Sequence, residues 1–344
     1  MEGRHRLAAG LAVSLGLAGL VTTSGVVFLA NHFVEELSLP HVCPDERHLT
    51  FALPPGGGEP PLACQRPVTF RTIDGKILRG DFWAQPQPSP TMIICHGYRV
   101  TRETLRPVAS LEYARGFNVF FFDFRGHGES ESVNTSAGYA EVHDLEAALD
   151  VAVLQPETLP GKIVIHGFSM GAAVALLMRP RPEVAAIIAD SPYARLDQVI
   201  QRVVQLELVQ RAYAWKTPFR YLRSSFPALS WLVTAASQAV FFARFRHRLL
   251  VSPAVALRRW SAAWRKAPTR RYPYPPILLI HSQADPAIPF AHARRLAEQA
   301  RAQQIPLETY FVSDAGHCGA YGLDPEGYTQ VLRRFLVPYL GAFA

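Results

Sequence analysis

The pentapeptide Gly167-Phe168-Ser169-Met170-Gly171 follows a β-branched run and opens a helical pattern. On so sharp a strand-to-helix turn the serine hydroxyl stands exposed above the sheet edge, at the positive end of the helix. The glycines are needed because a side chain two residues before or after Ser169 would collide with neighbouring backbone. A serine hydroxyl is a weak nucleophile until a base takes its proton. The expected base is His317, in Asp314-Ala315-Gly316-His317, after the last expected strand.

The other eleven histidines fit that role less well. His5, His32, His41 and His48 precede the first strand, and His247 lies in an insertion described below. His143 and His292 flank helices, and His166 sits in the strand leading to Ser169, unable to bend back onto it. His281 is expected to face out of its strand. His96 is expected to brace its loop, and His127 lies in the segment Asp123–Ser130 taken up below. An acid must hold the imidazole tautomer and stabilise the imidazolium. Asp285, in Ser282-Gln283-Ala284-Asp285, is the candidate. Asp123 and Asp190 also end strands and are expected to cap loops, while Asp314 is expected to support the His317 loop. Two backbone donors are required for a developing oxyanion. The expected pair is the N–H of Met170 and the N–H of Tyr98, the latter in His96-Gly97-Tyr98, where Gly97 permits a close turn.

These residues need elements to bring them together. Pro67–Thr72 and Ile77–Ala84 read as paired strands around Asp74-Gly75. Further strands are expected at Met92–Cys95, Asn118–Phe124, Lys162–His166, Val184–Ala189, Ile277–His281 and Leu307–Val312. Helices are expected at Glu103–Arg115, Val142–Leu154, Met170–Met178, Ala291–Gln303 and Pro325–Leu340. Such βα alternation predicts a mostly parallel sheet covered by helices on both faces. The rhythm breaks over residues 195–271, which hold fifteen Lys/Arg against two acids, Asp197 and Glu207, and many aromatics. The whole chain carries a net charge of +7, so the remainder is acidic. A basic segment on an acidic body points to an anionic surface or substrate. Without an aromatic nucleic-acid signature or zinc spacing, it does not point to nucleic acid.

The N-terminus is a separate unit. Arg4 and Arg6 precede an uncharged run, Leu7–Ala30, in which eleven residues are Leu, Val or Phe. As a helix it would span about 36 Å, against a hydrocarbon core of about 30 Å. Residues 1–30 are therefore expected to be a membrane anchor. Glu35 and Glu36 follow the run, so the positive-inside rule puts the remainder outside the cytoplasm. The competing reading is a signal peptide cleaved near Ser24 or Ala30, with secretion; the length of the run favours the anchor. Residues 31–66, rich in Pro and Gly, read as a linker. Cys43 and Cys64 flank its Pro/Gly-rich stretch and are either a disulfide or two unrelated thiols. Cys95, within a strand, and Cys318 are expected to be small packing residues, Cys318 serving as a redox handle only if exposed.

Taken together, His96-Gly97-Tyr98, Asp123-Phe124-Arg125-Gly126-His127-Gly128-Glu129-Ser130, the Ser169 pentapeptide, Asp190-Ser191-Pro192, Asp285 and His317 resemble the α/β-hydrolase superfamily. The chain looks most similar to its serine-aminopeptidase-like and monoacylglycerol-lipase-like branch. The resemblance runs from Pro67 to the C-terminus and is poor across the insertion. It implies an α/β-hydrolase core over 67–194 and 272–344, with residues 195–271 as a helical cap. It also implies the chain order Ser, Asp, His for the catalytic residues, a structural loop without a catalytic role for Asp123–Ser130, His127 included, and no metal or organic cofactor. The expected activity is hydrolysis of a carboxylic ester, lipid-like substrates included, with a serine peptidase or amidase as alternative. An apolar, aromatic cap beside a membrane anchor suits hydrophobic acyl substrates. A peptidase would require an acidic group for a substrate amine, and none is identifiable. A non-enzymatic scaffold is opposed by the presence of Ser169, Asp285, His317 and both glycines.

Overall fold

A computed structural model describes residues 23–39, 60–214, 224–264 and 274–341, the side chains of 211–214 and 261–264 excepted. It divides into two compact units. One combines residues through Ser38 with Asp197–Leu250; the other comprises Leu39–Leu196 and Val251–Ala344.

The second unit is built on eight strands, β1 (Gln65–Arg71), β2 (Ile77–Trp83), β3 (Ser89–Cys95), β4 (Asn118–Phe122), β5 (Thr158–Phe168), β6 (Val184–Asp190), β7 (Ile277–Ser282) and β8 (Leu307–Val312). Their order across the sheet is β1-β2-β4-β3-β5-β6-β7-β8. Strand β2 is antiparallel to both neighbours, and every other pairing is parallel. This is the α/β-hydrolase fold that the resemblance implies. Parallel strands covered on both faces are buried on both and mostly apolar. Accordingly every residue of β3, β4 and β7 is buried.

Helices α2 (Arg106–Ala114), α3 (Glu141–Val153), α4 (Met170–Leu177), α7 (Pro253–Trp264), α8 (Ala291–Ala302), α9 (Ala320–Leu323) and α10 (Pro325–Leu340) belong to this unit. Side chains of α2 and α10, among them Val108, Leu332, Phe335 and Leu336, form one core with Met92, Ile94, Val119, Phe121, Val164 and Ile188. Helices α3, α4, α7 and α8 pack successively on one another, and α4 sits on β5 and β6. Buried from Met170 to Leu176, α4 is a central core helix.

The first unit contains a helix over 23–38, here α1, with α5 (Leu196–Ala214) and α6 (Phe226–Phe245). The sequence assigns 31–38 to a linker, yet α1 runs through them. Buried residues recur four apart, at Val26, Ala30, Val34 and Ser38, a helical period that polar neighbours obscure in the sequence. The insertion outlined as 195–271 also divides. Residues 197–250 fall in the first unit, whereas α7 packs on α4 and α8 and buries Leu257 and Trp260. Leu7–Thr22 and Cys43 lie outside the described residues.

Candidate active site

The strand register places five strand ends side by side. Gly167 pairs with Cys95 on β3 and Ala189 on β6, Asp190 pairs with Ile280, and Ser282 pairs with Val312. The loops after β3, β5, β6, β7 and β8 therefore open at one sheet edge, and they carry Tyr98, Ser169, Ser191, Asp285 and His317.

Ser169 sits between β5 and α4 at φ 51°, ψ −111°. This region is costly for a residue with a side chain, and such strain gathers at functional sites. The turn explains both glycines. A Cβ on Gly167 would lie 2.5 Å from the Ala172 nitrogen, and one on Gly171 would strike the Cys95 carbonyl and lie 2.7 Å from that of His96. The Ser169 N–H donates to the Asp190 carbonyl at 2.8 Å, tying the turn to β6.

The structure brings Ser169, His317 and Asp285 together. His317 Nε2 is 2.8 Å from Ser169 Oγ, and its Nδ1 is 2.7 Å from Asp285 Oδ2. With the proton on Nδ1 donated to the carboxylate, Nε2 is free to accept the serine proton. Asp285 is oriented independently, because its Oδ1 accepts the Ala287 and Ile288 N–H groups, each at 2.9 Å. Burial opposes ionisation of Asp285, but the His317 hydrogen bond and charge outweigh it and hold the carboxyl below its ordinary value. Burial likewise opposes protonation of His317. The adjoining Cys318 and the Asp285 carboxylate reverse that balance, raising the imidazole well above its ordinary value.

Met170 is the first residue of α4, where helical amides lack an intrahelical acceptor. The His96–Tyr98 loop adjoins the nucleophile, since a Cβ on Gly97 would lie 3.3 Å from Ser169 Cβ. His96 accepts the Phe124 N–H on Nε2 at 2.9 Å and donates from Nδ1 to the Gly97 carbonyl at 2.6 Å. His127 accepts the Arg99 N–H at 3.3 Å and donates to the Arg125 carbonyl at 2.9 Å. Burial pushes both imidazoles toward the neutral form that these roles need.

Several supporting residues escape sequence reading. Ser282 Oγ donates to the Ala315 carbonyl at 2.6 Å and accepts its N–H at 3.0 Å, clamping the His317 loop. Ser191 Oγ accepts the Cys318 N–H at 3.2 Å and donates to Asp190 Oδ1 at 2.8 Å. Asp190 also accepts the Tyr328 hydroxyl at 3.2 Å, which in turn lies 3.0 Å from His166. Burial raises the Asp190 carboxyl to about 6. Ser191 and Cys318 share the positive φ of Ser169, at 54° and 53°. Ser191 lies in the Asp190-Ser191-Pro192 segment of the resemblance and Ser282 just before Asp285, but the sequence assigns neither a role; each is a strand-end serine whose partner lies far away in the chain.

Two sequence expectations are corrected. Asp314 is exposed, and Ser282 and Ser191 hold the His317 loop in its place. His281 does not face outward. It is fully buried, donates to the Ile288 carbonyl at 2.8 Å and lies 3.5 Å from Asp285 Oδ2. The covering of both sheet faces, invisible in strand periodicity, buries it. Cys318 is buried and its thiol is pushed up by burial, so it packs rather than presenting a reactive sulfur. Asp123 caps its loop, accepting the Arg102 and Glu129 N–H groups at 2.8 and 3.0 Å and the Arg102 guanidinium. Among the described residues, no group of three or more His, Cys, Asp or Glu is placed to hold a metal.

Known proteins share this architecture. A family model described as the alpha/beta hydrolase family matches residues 92–331. The uncharacterized protein YqkD of Bacillus subtilis is 30% identical over 273 residues, covering 76% of each chain. Among solved structures, the esterase Pf2001 of Pyrococcus furiosus superposes with a TM-score of 0.60 at 24% identity, over 83% of this chain and 97% of that one. An acylaminoacyl peptidase of Pyrococcus horikoshii gives 0.52 at 13% identity, over 81% of this chain and 42% of its own.

Proposed function

The chain belongs to the alpha/beta hydrolase family, and on that premise we propose that it is a serine hydrolase that cleaves a carboxylic ester through an acyl-enzyme. The observation that carries this reading is His317 bridging Ser169 Oγ at 2.8 Å and Asp285 at 2.7 Å. As Ser169 Oγ attacks the ester carbonyl carbon, His317 Nε2 takes its proton. Asp285 stabilises the resulting imidazolium without itself taking the proton. The carbonyl oxygen becomes an oxyanion held by the N–H groups of Met170 and Tyr98. Collapse breaks the bond to the alkoxy group, which leaves as an alcohol with the proton from His317. A water, deprotonated by His317, then repeats the attack on the acyl-serine, releasing the acid and restoring Ser169.

Replacement of the serine tests this directly. Ser169→Ala is expected to lose on the order of 10⁶ in kcat, as removal of such a nucleophile does elsewhere, and to lose labelling by a fluorophosphonate. A variant retaining more than a small fraction of wild-type esterase activity would overturn the mechanism. A series of p-nitrophenyl esters of increasing acyl length, run beside aminoacyl amides, reads the bond cleaved. Turnover of the amides in preference to every ester would replace the ester assignment with an amidase.

A further inference from the structure

Helix α6 has no charged residue from Phe226 to Ala243. Its inward side carries Phe226, Ser230, Val233, Thr234, Ser237 and Phe241. The three hydroxyls on that side bond back to carbonyls of their own helix, at 2.8 Å each. The outward side is apolar too. Ala228, Trp231, Leu232, Ala235, Ala239 and Phe242 are all exposed, at the three- and four-residue spacing of a single stripe. A helix in water presents charge on its outer face; this one presents hydrocarbon, with Trp231 59% exposed.

The chain itself says what covers the stripe. Arg244, at the end of α6, donates to Asn31 at 2.9 Å and pairs with Glu35 at 3.0 Å, so α6 is fastened to α1. Helix α1 holds the last part of the uncharged run Leu7–Ala30 and exposes Val27 and Phe28. Cleavage near Ala30 would strip the buried Val26 and Ala30 from this unit. Exposed Arg246 and Arg248 follow α6 directly, supplying positive charge where an apolar face meets anionic headgroups.

By length and composition α6 could cross a membrane, but connectivity forbids it. Strands β1–β6 precede α6 and β7–β8 follow it, yet all belong to one sheet. A single crossing would put them on opposite sides. The flanking segments 195–225 and 246–271 are punctuated throughout by Lys and Arg and offer no second span.

We propose that α6 lies in the plane of the membrane leaflet on the hydrolase side, its Trp231 stripe against the acyl chains and Arg246 and Arg248 against anionic headgroups. The occupant of the stripe is lipid. This placement is independent of the bond that Ser169 cleaves.

The test uses the full chain in vesicles of neutral and anionic phospholipid. Subtracting the emission of Trp231→Tyr isolates Trp231. The Trp231 component should lose intensity with lipids brominated near the top of the acyl chains and be insensitive to aqueous iodide. Loss to iodide but not to bromolipid would show a face open to water and overturn the proposal. Insensitivity to both would show cover by protein, such as a second copy, and overturn it equally. Phe242→Trp in the Trp231→Tyr background moves the reporter along the stripe and must give the same result. A far-UV circular dichroism spectrum and melting temperature matching wild type show that each variant has folded.

Discussion

Replacing Asp285 by Asn separates charge and tautomer from shape. Two backbone donors, the N–H groups of Ala287 and Ile288, converge on Oδ1 at 2.9 Å. An Asn amide must keep its oxygen there, since its NH₂ group cannot accept. The NH₂ group then occupies the Oδ2 position, 2.7 Å from His317 Nδ1 in the wild type. Facing a donor, Nδ1 must give up its proton and act as acceptor. The imidazole proton moves to Nε2, which points at Ser169 Oγ and can no longer accept from it. The enzyme is left with the wrong tautomer and no charge opposite the imidazolium. The same exchange in a serine protease triad lowers kcat by about 10⁴, or roughly 5 kcal/mol at 1.36 kcal/mol per decade. We expect a loss of that order in kcat on a p-nitrophenyl ester, with KM little changed and Tm near wild type. Asp285→Ala leaves the Ala287 and Ile288 donors unpaired as well, at about 1–3 kcal/mol for each buried group, and should melt lower. Asp285→Asn within about tenfold of wild-type kcat would refute the assigned role and the tautomer argument together, since tenfold is only ~1.4 kcal/mol.

Because His317 is raised well above its ordinary 6.5 and must be neutral to act, kcat/KM should climb as pH rises through a pKa above 6.5. An acid limb centred at or below that value would contradict a raised His317. The same shift makes protonated His317 favour the fold at acid pH, and that contribution is lost as pH rises through the folded-state pKa. Arg125→Met removes the guanidinium that joins Asp74 at 2.7 Å to the fully buried Asp144 at 2.6 Å; breaking such a buried pair costs about 3–5 kcal/mol. Burial already lifts Asp144 to about 6, and losing Arg125 lifts it further, so urea melts should show the largest deficit at alkaline pH and partial recovery on acidification. Gly171→Ala drives a methyl into the backbone of Cys95 and His96 and should yield little folded protein, whereas Gly316→Ala, with open space at that position, should melt like wild type.

The sequence by itself determined the local features. Ser169 is legible because its turn has a short-range steric requirement that both flanking glycines meet. The strands are legible because a sheet covered on both faces favours near-continuous apolar runs, as in Val119–Phe122 and Ile277–Ile280. Asp285 and His317 stand out because each follows a strand by a few residues. Tertiary structure decided what lies next to what. Strand β4 inserts between β2 and β3, and only the packed sheet sets the ends of β5, β6, β7 and β8 side by side. The supports of the site come from that adjacency. Ser191 reaches Cys318 across 127 residues, Ser282 reaches Ala315 across 33, and Tyr328 reaches Asp190 across 138. A serine at a strand end has the same local signature whether or not such a partner exists. The same physics separates α7 from the rest of the insertion: composition draws no boundary at Pro253, but burial of Leu257 and Trp260 against neighbouring helices assigns Pro253–Trp264 to the hydrolase unit. Composition and period report which residues can be buried; the partners that bury them are fixed by contacts distant in the chain.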